Sequence, residues 1–464
     1  MNATLAKFPI RAVLPPVLGA AAGFLMPGMG AAPFLIVLTV ALFGVGIWAE
    51  YLTALIFFTL AMLLKIASPE VIFTGFSSSA FWLILAGFFL GGAVSATGLG
   101  ERIASYVARR VPDGYAWALG GTAAMGLAMS FLMPSATGRV LLMLPVIQNL
   151  AKKLGCEEGS KSYTGLTLTG LFTSFVPAMS ILPANIPNMV LVGAAEAVGL
   201  PKPDYAHYLL LHFPVLGLCK AALIAAVIGI AFRPGAEEAR ANRARRALGT
   251  GHAPDGWTNP EIRLAIVLSL CLAFWCTDSI HGISPAWVGM VGAILCLVPG
   301  FGMLDQRKAA KELNVGSLLY VAAVISIGSV VTATGMGPKL ADGLLSILPL
   351  VPGAHFANFM TLGLLATLLG PITTQPGIPA VLTPLATHLA AAATLPVQAV
   401  MMTQVLGFST LLFPFQTAPL MVGLHVLNFP IGKAGKLLFV MAGLSLLLLW
   451  PLEYLEWRLL GFVP

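Results

Sequence analysis

Charge is what this chain has least of: only 9% of its 464 residues are Asp, Glu, Lys or Arg, against roughly a quarter in an ordinary soluble domain. That scarcity, with 58% hydrophobic residues and a mean hydropathy of +0.92, excludes a soluble globular protein of this size. Cysteine is also sparse. Cys156, Cys219, Cys271, Cys276 and Cys296 show no metal-ligand spacing, and most sit in apolar stretches, which excludes a disulfide framework. His207, His212, His281, His355, His388 and His425 are scattered and suggest no metal site. The first apolar run lacks a small-residue cleavage site and leads into a second, so it reads as an uncleaved helix. The Asn2-Ala3-Thr4 sequon falls on the expected inner side and carries no weight.

What the chain does have is long apolar runs. A crossing helix needs roughly 20 mostly apolar residues, and the sequence accommodates about eleven of them plus two shorter re-entrant pairs. The expected fold is an all-α polytopic membrane protein. The 49 glycines and 33 prolines then mark close helix packing and broken helices.

The net charge of +7 would suit nucleic acid or a lipid surface, but its placement follows the membrane. With the N-terminus inside, 19 of the 25 Lys and Arg fall in inner segments, among them Lys7, Arg102, Arg110, Lys152, Arg245, Arg263 and Lys308. Lys65, Lys202, Lys339 and Arg458 fall outside, while Arg139 and Lys220 lie within apolar runs. This is the positive-inside pattern, and it predicts a multi-pass inner (plasma) membrane protein with a cytoplasmic N-terminus and no nucleic-acid partner.

The organisation is a duplication. Ala96-Thr97-Gly98-Leu99-Gly100 matches Ala333-Thr334-Gly335-Met336-Gly337, and Trp48-Ala49-Glu50 corresponds to Trp275 through Asp278. Arginines place the first Thr-Gly-x-Gly copy inside, whereas the second copy reads as outside, so the repeats are predicted to be inverted. The expected divisions are 1–47 (N-terminal helices), 48–232 (first repeat), 233–261 (cytoplasmic linker) and 262–464 (second repeat). Glu50 and Asp278, paired by the repeat near membrane boundaries, read as helix-end anchors, with gating or proton coupling as the alternative.

Each half also carries a polar, helix-breaking tip: Pro134-Ser135-Ala136-Thr137-Gly138 in one and Thr373-Thr374-Gln375-Pro376-Gly377 in the other. Non-helical backbone at membrane depth persists only where protein buries it or a water-filled cavity borders it. Pro177 to Asn188 and Pro414 to Pro419 interrupt two further apolar runs, and the freed backbone groups and half-helix ends can hold ions or anionic groups. Two tips and two breaks predict one shared site near the midplane.

Taken in order, Trp-x-Glu, Phe81 to Ala104, the Ser135-Ala136-Thr137 hairpin with Pro145, Asn185-Ile186-Pro187-Asn188, then Asp278 to Gly282, Thr334 to Gly337, the Thr374 hairpin and Pro414-x-x-Thr417-x-Pro419 resemble the divalent anion/sodium symporter family over roughly residues 30 to 464. The resemblance implies an eleven-helix homodimer in membrane lipid that carries dicarboxylates, citrate, sulfate or related anions by an elevator-like motion. It also implies that both tips read Ser-Asn-Thr and hold a substrate carboxylate beside sodium. Here Ala136 stands at the Asn position, Gln375 keeps an amide and Pro376 loses a hydroxyl. Asn185 and Thr417 match the small polar positions at the breaks, and Arg139 replaces a threonine just past the first tip. No cofactor or structural metal is implied, and sodium, a proton and a counter-substrate are the alternatives for coupling.

A charged side chain at the bilayer centre costs about 2.5–3.5 kcal/mol on insertion scales, so Arg139 needs compensation. Its guanidinium could pair with the anion, supply the positive charge of sodium, snorkel, or bind a neighbouring carbonyl. Lys220 is expected to snorkel toward an interface. Three other functions are weaker. A cation/proton antiporter of broken-helix fold would want carboxylates in the hairpins or breaks, an intramembrane enzyme would want a base near Ser135 or Ser180, and a channel has little use for two proline-broken sites.

Overall fold

The computed structural model describes residues 8–110, 112, 114–248 and 256–464. Lys7, the sequon at Asn2 and the Gly249 to His252 stretch of the linker lie outside these residues. Among the described residues the regular structure is helical. Among the described residues seven helices are long and apolar enough to cross a membrane, or eight if the bent pair Gly377–Ala393 and Val397–Ser409 forms one span, and five shorter apolar helices accompany them. The helical polytopic class is as the sequence predicts.

The two Thr-Gly-x-Gly copies build the same joint. Ser79–Thr97 ends at Gly98 with φ +75° before Leu99–Arg110, and Val315–Ala333 is followed by Gly335 with φ +70° before Met336–Leu345. A left-handed residue stops a helix cheaply only when it has no Cβ, hence glycine at both. Asp278 starts a short helix, and its carboxylate accepts the Tyr205 backbone N–H at 2.7 Å.

The first hairpin pairs Tyr115–Leu132 with Ala136–Lys153, and the first broken helix runs Lys161–Thr173, two 3-10 turns at Pro177–Ser180 and Leu182–Ala184, then Ile186–Ala197. Pro177, Pro183 and Pro187 each sit in the first turn of a piece, where no N–H is needed. The second half repeats the order. His355–Thr373 and Gly377–Leu382 form its hairpin, and Val397–Ser409, Pro414–Gln416 and Ala418–Val426 form its broken helix.

The packing is crossed. The Ala136–Lys153 arm lies on Ala418–Val426, and Gly377–Leu382 lies on Ile186–Ala197, so each hairpin leans on the broken helix of the other half. Small residues permit this: a Cβ at Gly423 would come within 2.2 Å of Leu171 and 3.0 Å of Val140. In lipid, where apolar burial gives little drive between helices, such close approach supplies the adhesion.

Much of the 233–261 stretch is helical among the described residues. Ala236–Leu248 is a helix docked on the Gly155 to Ser162 loop through Glu238 and Arg245, and Asn259 already begins a span behind the Thr258–Glu261 capping box. A connector rich in helix formers folds once it has a surface to bind. Arg102 pairs with Glu261 at 2.6 Å, Arg245 with Glu157 at 2.8 Å and Lys202 with Glu196 at 3.2 Å.

Candidate transport site

At the first break, the short Met133-Pro134-Ser135 turn brings Arg139 onto the broken helix. Ser135 Oγ accepts the Gly138 N–H at 3.3 Å, which starts the second arm and leaves Ser135, Ala136 and Thr137 half-buried at its N-terminus. One turn on, Arg139 is fully buried. Its Nε donates to the Ser174 carbonyl at 2.6 Å and its Nη1 to the Met133 carbonyl; Nη1 and Nη2 both donate to the Ala184 carbonyl, and Nη2 to Asn185 Oδ1, these three at 3.3 Å. Five hydrogen bonds match the five donors of the fork. Of the sequence alternatives, the structure has the guanidinium on neighbouring carbonyls. Asn185 thus serves Arg139, while its Nδ2 is buried without a partner among the described residues.

The second tip is held differently. Thr374 adopts φ +65°, ψ 171°, a region almost reserved for glycine that costs about 1–3 kcal/mol. Its hydroxyl lies 3.3 Å from Tyr320 Oη. Gln375 is buried; its backbone N–H donates to the Gln416 carbonyl at 3.4 Å and its side-chain amide to the Phe408 carbonyl. Gln416 Oε1 in turn accepts the N–H groups of Leu412 and Phe413 at 2.8 and 2.7 Å. Pro376 precedes the Gly377 helix, where it has no donor to lose, and Thr417, in extended backbone, precedes Ala418–Val426.

Lys220 does not snorkel. It is buried, and its Nζ donates to the Ser409 carbonyl at 2.6 Å with the hydroxyls of Ser409 and Thr410 at 3.4 and 3.3 Å. The reason is the break itself: Val397–Ser409 ends in unsatisfied carbonyls with a partial negative charge, which a cation stabilises. Arg139 does the same for Lys161–Thr173 through Ser174. Val176, Lys220, Ser409, Thr410 and Ser445 share one narrow cavity, so the two breaks adjoin.

The structure therefore gathers Ser135, Ala136, Thr137, Arg139 and Asn185 into one cluster and Thr374, Gln375, Pro376 and Thr417 into another. Among the described residues no hydrogen bond joins the two; the crossed arms do. Sequence reasoning missed Tyr320 and Gln416 and misjudged Lys220. Gln416 stood inside a recognised break, which was the available signal, whereas Tyr320 had none. Among the described residues no group of three His, Cys, Asp or Glu could hold a metal.

The model of the sodium:sulfate symporter transmembrane region matches residues 20–463. A Cupriavidus necator protein named only as a membrane protein is 26% identical over 407 residues, 84% of this chain and 76% of that protein. Dicarboxylate transporter 2.1 of Arabidopsis thaliana chloroplasts is 23% identical over 66% of this chain and 54% of its own length. The spinach (Spinacia oleracea) chloroplast dicarboxylate transporter 2 is 24% identical over 57% and 47%, so the matched region spans about half of these chloroplast relatives. The YdaH transporter of Alcanivorax borkumensis, a crystal structure of unusual topology, superposes with a TM-score of 0.55 over 97% of both chains at 13% identity. That likeness concerns the fold.

Proposed function

This chain belongs to the sodium:sulfate symporter family, and we propose on that footing that it is a secondary active carrier of small anions of the dicarboxylate, tricarboxylate or sulfate class. Membership of a transporter family sets aside the enzyme alternative. The observation that carries the reading is the crossed packing, which lays Ala136–Lys153 on Ala418–Val426 and Gly377–Leu382 on Ile186–Ala197, helices that each begin at a tip or a break. N-terminal N–H groups and their partial positive charge suit an anion. Ser135 and Thr137 from one tip, Thr374 from the other, and Asn185 and Thr417 from the breaks supply hydrogen bonds that orient it. Arg139 contributes positive field from behind the first tip.

Alternating access is of the elevator type in this reading, with the hairpins and broken helices moving against the remaining helices in each subunit of a homodimer. The surfaces they would slide on are smooth: Gly87 and Gly91 of Ser79–Thr97 meet Pro134 and Ser135, and a Cβ at Gly44 would reach within 1.8 Å of the Ile372 carbonyl. The halves act as inverted repeats with the N-terminus on the cytoplasmic face of the plasma membrane. The boundaries are those read from the sequence, with the 233–261 connector partly helical.

Sodium is not the coupling ion in this reading. The carbonyls of Met133, Ser174 and Ala184 with Asn185 Oδ1 are an oxygen set a hard cation would accept, but the guanidinium already occupies them. Lys220 fills the corresponding place at the second break. The protein carries its own cations.

The test is counterflow in proteoliposomes preloaded with one anion from a panel of succinate, malate, citrate and sulfate. Saturable accumulation of the labelled species is expected for at least one of them. Failure of the whole panel, or flux that does not saturate, would reject the carrier.

A further inference from the structure

Two long spans are interrupted by π-helical segments: Phe213–Cys219 within Tyr205–Ala231, and Ser445–Leu449 within Ile431–Leu459. A π segment inserts an extra residue into a helix and tends to persist where function holds it. These two pack against each other, and a buried acid–base pair joins the spans that contain them. His212 Nδ1 lies 2.7 Å from Glu453 Oε1, with neither side chain exposed. Trp457 Nε1 lies 3.3 Å from the same oxygen and donates to the Leu211 carbonyl at 3.2 Å. Among the described residues, the other oxygen of Glu453 and His212 Nε2 have no hydrogen-bond partner. A pair kept only for packing would have its polar atoms satisfied, and an ionisable group at membrane depth is a functional site by default.

The pair is wired to both breaks. The π segment starts beside His212 and ends at Lys220, which holds the Ser409 carbonyl at the second break. At its centre, a Cβ on Gly217 would come within 2.8 Å of Ser180 Oγ in the first break, and Tyr208 Oη donates to the Met179 carbonyl there at 2.8 Å. The titratable or charged groups facing the pair are Glu456 from the helix of Glu453, and Tyr208, Cys219 and Lys220 from the Tyr205–Ala231 span. Lys220 is the cation among them.

From this juxtaposition we infer that the His212–Glu453 pair is a proton-binding site and that anion transport is coupled to protons through it. The inference rests on the carrier reading above. Without the extra proton, neutral His212 donates its Nδ1–H to ionised Glu453, and the Lys220 ammonium balances the carboxylate. On loading, a hydronium ion gives its proton to the Glu453 carboxylate: one O–H bond forms, one breaks, and water leaves. The pair gains one positive charge, which offsets one negative charge on the bound anion and lowers the cost of carrying it through the bilayer. A protonated Glu453 draws less on the His212 N–H, which frees the π segment to shift and Lys220 with it.

The test uses the full chain, purified and reconstituted, with two readouts. In infrared difference spectra between alkaline and acid pH, a buried protonated-carboxyl band should appear, vanish in Glu453→Gln, shift in His212→Asn and remain in Glu456→Gln. In liposomes, an inward gradient of one pH unit should raise accumulation of labelled anion by up to about tenfold per coupled proton, and Glu453→Gln and His212→Asn should flatten that response. Uptake indifferent to the gradient in the unaltered protein, or a band that survives Glu453→Gln, would overturn the inference while leaving anion carriage in place. A band that behaves as expected in a protein that carries no anion would support the proton site and overturn the carrier reading. Should Glu453→Gln fail to elute as a folded species, His212→Asn and Glu453→Asp provide the same comparison.

Discussion

Arg139 Nε lies 2.6 Å from the carbonyl oxygen of Ser174, and this contact fastens the tip of the first hairpin to the end of the half-helix that precedes the first break. Removing the guanidinium strands the Met133, Ser174 and Ala184 carbonyls and Asn185 Oδ1 without a donor. Arg139→Ala should therefore lower stability by about 3–5 kcal/mol, in the range for breaking a buried charged network, seen as a lower unfolding midpoint in detergent and loss of uptake. Arg139→Lys keeps the charge but not the fork, and should recover stability only in part. Full stability in Arg139→Ala would show that the network is ornamental.

A coupled ion typically shifts the affinity of its partner roughly 5–150-fold. If Arg139 and Lys220 supply the charge that sodium would bring, replacing sodium by potassium on both sides of the membrane should change uptake less than about twofold on that scale. In Arg139→Ala, any activity that survives should become sodium-dependent, because the oxygen set is then open to a free cation. A strict sodium requirement in the unaltered protein would reject the reading.

Thr374 pays for its place with backbone strain. At φ +65° and ψ 171° a residue with a Cβ is held about 1–3 kcal/mol above its relaxed state, and the hydroxyl is held facing Tyr320. Thr374→Gly should raise the unfolding midpoint, by an amount corresponding to about 1 kcal/mol, while weakening anion binding because the hydroxyl is gone. Thr374→Ser, which keeps the hydroxyl, should retain binding. A destabilised glycine variant would mean that the conformation is not strained.

Much of this architecture was legible because proline and glycine punctuate apolar runs. Pro134, Pro177, Pro183 and Pro414 announced the tips and breaks, and Gly98 and Gly335 announced the two left-handed helix joints, since each has a local steric reason that needs no tertiary partner. The side-chain network was not legible in the same way. Lys220 sits in an apolar run where snorkelling is the ordinary outcome, and only the fold brings Ser409, 189 residues away, against its ammonium. Glu453 and His212 are separated by 241 residues, so no spacing rule could pair them. Arg139 was recognisable as a charge within an apolar run that needs compensation, but its partners depend on how the break turns back.

The docked connector offers a pH test outside the membrane. Glu238 Oε1 accepts the Ser162 N–H at 2.9 Å and the Ser162 hydroxyl at 2.6 Å, tying Ala236–Leu248 to the start of the first broken helix. Partial burial pushes its carboxyl upward, but the bonds from Ser162 and Ser160 and the Lys161 charge outweigh that, so its pKa lies below the usual value. A group whose folded pKa is depressed stabilises the docked state above its unfolded pKa, about 4.3 for Glu, and that stabilisation fades as pH falls through the lower folded value. Protection against hydrogen exchange in residues 236–248, taken relative to the intrinsic rate at each pH, should thus fall on acidification below that range and stay constant through neutral pH. Glu238→Gln should raise exchange already at neutral pH and remove most of the acid response. An acid response equal in both proteins would assign it to another carboxylate, with Glu157, bound to Arg245 in the same contact, as the next to replace.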